Sequence, residues 1–175
     1  MRSFSVVENV KKIIMNKKYV MFIVFLSLSA AGSFLKIPSP VGSVAFDSMP
    51  ALSGAALISP VFGVGVASLG HLISAYLAGF PLGPLHIIIA VLMGGFVFLF
   101  GLLYRLNRKK TAIFTFIAGN GFFAPLFFYP FLGKAVVLAL LPSLLVATIL
   151  NVIAAIIIIP RVRPSMQKSL IRIKP

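Results

Sequence analysis

The chain has 175 residues, 60% of them hydrophobic and only 10% charged, with a mean hydropathy of +1.11. A soluble domain has to coat itself with charge, and this chain has too little to do so. It has no cysteine, which excludes disulfides and thiolate-bound zinc, and only two acidic residues.

The formal charge is +14. Its placement along the chain matters more than its sum. Several apolar runs approach the roughly 20 residues a helix needs to cross a bilayer. When these are traced as six spans, fourteen of the sixteen basic residues fall on one side, leaving Lys36 and Lys134 on the other. That is the positive-inside pattern, with both termini cytoplasmic, and it accounts for the charge without nucleic acid. The expected fold class is therefore an all-α integral membrane protein. It is a six-transmembrane-helix bundle in the cell (plasma) membrane, with N and C termini inside and a short second span. Residues 1–18 form a basic cytoplasmic segment, 19–160 the membrane domain and 161–175 a basic cytoplasmic tail.

Phe4, Val7, Val10 and Ile14 recur at helical spacing, so the leader reads either as a short surface helix or as a disordered start. Span 1 runs from Tyr19 to Lys36. Ser29-Ala30-Ala31 also offers a signal-peptide cleavage signature, but the basic leader is long for that reading. Ser27 with Ala31, and Ser29 with Ser33, place small residues on single helix faces, where another helix can approach closely.

Val41 to Asp47 reads as an extended outer loop. Asp47 or Ser48 is expected to cap the following helix, with Pro50 in its first turn. That helix, to Ser59, is short for a full crossing, so the region 47–79 reads as two spans or as a re-entrant hairpin. In span 3, Pro60 to Ala78, His71 lies on a stripe of Gly63, Ala67, Ala75 and Gly79. It either hydrogen-bonds across a tight interface or lines a cavity there. Span 4, Pro84 to Arg105, carries His86 at its outer end.

Span 5, Thr111 to Leu132, contains Gly119-Asn120-Gly121 near mid-membrane. Pro125 has no N–H, so the carbonyl of Gly121 is expected to lose its helical donor. Asn120 and a freed carbonyl would need protein or water around them; the plainer alternative is a kinked helix with ordinary aromatic packing. Phe116, Phe123, Phe127 and Tyr129 add rings nearby. In span 6, Lys134 to Ile159, Asn151 is expected to make a helix–helix hydrogen bond, and Pro160 to end the span.

The chain has no P-loop, no metal-ligand cluster and no intramembrane carboxylates for an ion relay. It looks equipped to bind a molecule but not to energise its transport. No enzyme activity, cofactor or metal is expected.

Two sets of residues carry a family resemblance. One is the Gly/Ala-rich second span preceded by Pro40-Val41-Gly42-Ser43-Val44 and Asp47-Ser48-Met49-Pro50. The other is Gly70-His71-Leu72-Ile73-Ser74-Ala75 with Phe80-Pro81-Leu82-Gly83-Pro84-Leu85-His86. With them the chain, from Tyr19 to Arg161, resembles the substrate-binding S-components of energy-coupling factor (ECF) transporters, and most of all their alpha-ribazole group. The resemblance implies a vitamin-type substrate bound near the outer face. It also implies a T-component and two ATPase subunits as partners. Carried over, the substrate site would comprise Ser43, Asp47, His71, His86, Asn120 and Tyr129. The T-component docking pair would be Ser27 and Ala31, where the family often has alanine at both positions. A different vitamin or heterocyclic precursor, a non-transporting scaffold, and a channel or self-sufficient carrier stand as alternatives.

Overall fold

The computed structural model describes residues 2–38 and 43–171, with side chains over 17–35 and 45–168. The chain forms a helical membrane bundle. Helix α1 spans Arg2–Gly32, and a two-stranded hairpin, β1 Lys36–Pro38 and β2 Ser43–Ala45, follows. Then come α2 Ser48–Leu57, α3 Pro60–Leu77, α4 Leu85–Arg105 and α5 Lys109–Phe116. A π-helical segment, Ile117–Phe123, joins α5 to α6 Ala124–Phe127, and α7 Tyr129–Ile171 closes the chain. Among the described residues, Pro60–Leu77, Leu85–Arg105 and Tyr129–Lys168 are long and apolar enough to cross a membrane.

Three features differ from the sequence reading. The basic leader is continuous with the first apolar run, since α1 is unbroken from Arg2. The outer loop is an antiparallel hairpin pairing Lys36 with Ala45 and Pro38 with Ser43. Pro160 does not end the last helix, which passes through Pro160 and Pro164; there the Arg161 side chain donates to the Ile157 carbonyl at 2.7 Å. Pro160 has no N–H for the Ile156 carbonyl four residues back, and the Arg161 side chain bonds the next carbonyl along. The break in α7 lies instead at Gly133, whose φ of 77° and ψ of 165° are non-helical and suit glycine.

Small residues set how closely the helices approach. A Cβ on Gly63 of α3 would meet the Ala51 carbonyl of α2 at 2.9 Å. A Cβ on Gly94 of α4 would meet Ser68 Oγ of α3 at 2.7 Å. Ser68 Oγ itself donates to the Ala90 carbonyl at 2.9 Å, tying α3 to α4. Such contacts are what small residues provide in a bilayer, where lipid gives no apolar driving force between helices. Helix α3 starts with a sequence-encoded cap: Ser59 Oγ accepts from Phe62 N at 3.1 Å, with Pro60 in the first turn.

One end of the bundle is a close-packed apolar core. Leu52, Val66, Val97, Phe100, Phe116, Val152 and Ile159 are all buried there. Phe100 meets Phe116 edge-on, with ring centroids 6.1 Å apart, and Tyr104 at 5.4 Å.

Candidate functional site

The other end of the same helices holds a partly open cavity of about 160 Å³. Its polar lining comes from five places: Asp47 and Ser48 where the hairpin enters α2, His71 and Ser74 on α3, His86 on α4, Asn120 on the π segment, and Thr148 and Asn151 on α7. Ala75, Met93, Phe128, Leu140 and Leu144 supply much of the apolar wall. Among the described residues no Lys or Arg lines it.

The α2 entry is held from a distance. Asp47 precedes α2, but its side chain makes no capping bond. Asn151 Oδ1 on α7 accepts from Ser48 N at 3.1 Å and Met49 N at 2.8 Å. Its Nδ2 donates to the Ala147 carbonyl at 2.9 Å and the Ala45 carbonyl at 3.4 Å. Asn151 therefore takes the capping role expected of Asp47, and every hydrogen-bonding group of its amide is used. At the other end of α2, Arg105 Nη1 donates to the Ile58 carbonyl at 3.1 Å.

Asp47 is left free for other work. It is buried, with Ser48 Oγ donating to Oδ1 at 3.1 Å and the Ser74 side chain also hydrogen-bonded to it. Ser29 Oγ of α1 holds its backbone carbonyl at 2.7 Å. Among the described residues no cation pairs with this carboxyl, so burying it in charged form is costly.

His71 and His86 face each other, His71 Nε2 lying 3.1 Å from His86 Nδ1. Leu82 N donates to His86 Nε2 at 3.3 Å from the turn above. That turn needs left-handed backbone at Gly79 (φ 80°), Phe80 (φ 49°) and Gly83 (φ 53°). The Phe80 ring packs 5.7 Å from the His86 ring.

The Gly119-Asn120-Gly121 stretch is neither a plain α-helix nor a simple kink. It forms wide turns in which Ala124 N bonds the Gly119 carbonyl, five residues back. In that register Pro125 denies a donor to the carbonyl of Asn120, five back, rather than to that of Gly121. The flanking glycines permit close neighbours: a Cβ on Gly121 would meet Leu145 Cδ1 at 2.9 Å, and one on Gly119 would strike the Phe96 ring. Asn120 is buried, and its Nδ2 donates to Thr148 Oγ1 at 2.9 Å. Its Oδ1 has no partner among the described residues.

Of the residues singled out from sequence, Asp47, His71, His86 and Asn120 thus line one cavity. Tyr129 does not; it is 50% exposed, and Phe128 beside it faces inward. Phe116 lies in the packed core, and Phe123 and Phe127 are exposed. Ser43 opens β2, and its side chain lies outside the described residues. Ser27 and Ala31 are exposed on α1, whereas Ser29 and Ser33 are fully buried on its other side. Sequence reasoning missed Ser74, Thr148 and the capping role of Asn151. Only the four-residue spacing of Ala147 and Asn151 hinted at an inward face there.

No protein-family model matches the chain, and no curated protein matches it in sequence. Its fold is similar to that of a solved chain described as the S component of a bacterial ECF transporter, with a TM-score of 0.60. The likeness covers 87% of this chain and 98% of that one, at 17% sequence identity.

Proposed function

We propose that the chain is the substrate-binding S-component of an ECF-type uptake transporter in the plasma membrane. In this reading it crosses the bilayer six times, with both termini in the cytoplasm. It relies on a T-component and two ATPase subunits for energy. The observation that carries the reading is convergence: Asp47, His71, His86 and Asn120, from separate segments, line one cavity in a bundle whose fold is similar to that of an S component. The exposed small pair Ser27 and Ala31 supplies a flat face for the T-component.

Alpha-ribazole, a dimethylbenzimidazole joined to ribose, is the proposed substrate. A cavity of about 150 Å³ holds a benzene-sized ring, so the space suits the aromatic base, with Phe128 available for stacking. A whole nucleoside is larger, and its ribose would lie towards the open side of the cavity. Asp47 and Asn120 Oδ1 are acceptors suited to ribose hydroxyls.

The test is thermal unfolding of the purified protein in detergent against alpha-ribazole, riboflavin, thiamin and biotin. A ligand at 100 times its dissociation constant stabilises by about 2.7 kcal/mol. A shift with alpha-ribazole, lost in the double variant Asp47→Ala, Asn120→Ala, is expected. A shift with another vitamin alone would keep the class and discard the substrate. No shift with any of the four would count against a binding role.

A further inference from the structure

The two histidines fix each other's protons. The Leu82 N–H donates to His86 Nε2, so that nitrogen carries a lone pair and no hydrogen. An imidazole with a bare Nε2 is neutral and bears its single hydrogen on Nδ1. His86 Nδ1 lies 3.1 Å from His71 Nε2 and is therefore the donor in that pair. His71 Nε2 is then the acceptor, and His71 in turn carries its only hydrogen on Nδ1. His71 Nδ1 has no partner among the described residues, and His71 lines the cavity.

We infer that the Leu82–His86–His71 chain sets a hydrogen-bond donor, the Nδ1–H of His71, that selects ligands presenting an unprotonated ring nitrogen or carbonyl. This rests on the binding role proposed above and adds its selection rule. His71 is the ligand-touching residue. His86 is a positioning residue that acts through it, locked by a backbone N–H on the turn above the cavity. Among the described residues, the absence of any cationic side chain from the lining matches a neutral ligand rather than a phosphorylated one. A ring that offers only N–H at this point would set donor against donor and leave both unpaired on binding.

Benzimidazole and indole provide the test, because they share a shape and differ by the acceptor nitrogen. Titrated into the purified protein, benzimidazole is expected to bind about tenfold tighter or more, as a buried unpaired donor predicts. His86→Asn retains an amide near the Nδ1 position and keeps that preference. His86→Phe removes the donor to His71, and the preference falls to about one. Nitrogen NMR of histidine-labelled, ligand-free protein is read separately and does not depend on any variant folding. It is expected to show both rings as neutral Nδ1–H forms near neutral pH. An Nε2–H form at either ring would overturn the relay. Equal binding of benzimidazole and indole would overturn the selection rule while leaving a binding cavity intact. Failure of both rings to bind would sink the selection rule together with the binding role, and the NMR result would still decide the relay.

Discussion

Around Phe100 the bundle is filled by interlocking aliphatic and aromatic side chains, whereas around His71 the same helices leave space lined by a carboxyl, two imidazoles and two amides. Helices α3, α4 and α7 contribute to both ends. Val66, Phe100 and Val152 lie at one, and Ser74, His86 and Thr148 at the other. The backbone differs in step. It is regular α-helix beside Phe100, but beside the cavity it turns left-handed at Phe80 and widens to π geometry around Asn120. Irregular backbone leaves polar groups that helical bonding does not use, and protein or a cavity has to surround them. The comparison teaches that one end holds the helices together by packing, and that the other carries polar groups of which Asn151 alone is spent on capping a helix.

The sharpest way to break the comparison is at Phe100. Phe100→Ala removes a fully buried ring and its two ring neighbours, with an expected loss of roughly 3 kcal/mol in detergent unfolding. Ligand affinity of the folded fraction should not change. If affinity falls as far as stability, the two ends are not separate.

Asn151→Leu comes next. It leaves the N–H groups of Ser48 and Met49 without their acceptor, and each unsatisfied buried donor costs about 1–3 kcal/mol. A loss of about 2 kcal/mol is expected, because the helix end can relax in part. Asn151→Asp keeps an acceptor at a helix N-terminus and should recover more than half of it. Equal losses in both variants would show that packing rather than capping is at stake.

The smallest stability change is expected at Asp47→Asn. The amide keeps hydrogen bonds to Ser48 and Ser74 while removing a buried carboxyl that lacks a cation. The unfolding midpoint should stay level or rise, by less than about 1 kcal/mol, while binding of the ligand weakens. A clear drop in stability would make Asp47 part of the scaffold.

The parts legible in the sequence are those encoded locally. Ser59-Pro60 marks the start of α3, and the break that the hydrophobic pattern places between Leu132 and Lys134 falls at Gly133. The rarity of polar side chains also made Asp47, His71, His86 and Asn120 stand out, and these four line the cavity. The failures are non-local. Nothing in Asp47-Ser48-Met49-Pro50 says that the cap comes from residue 151, because a nearby Asp is an adequate cap on its own. Nothing in Phe127-Phe128-Tyr129 says which ring faces inward, because that depends on how far the π segment has shifted the helical phase. Pro125 was readable as a source of a freed carbonyl, but the wider register decides which one.

The capping of α2 by Asn151 also sets an order of assembly. The acceptor for the first turn of α2 is supplied 102 and 103 residues later in the chain. During synthesis α2 therefore reaches the bilayer with its entry turn unsatisfied, and stays so until the last helix has been made and has docked. Quality control in the cell would meet an exposed polar helix end in every nascent chain that stops short of residue 151, and a sealed one only in chains that go past it.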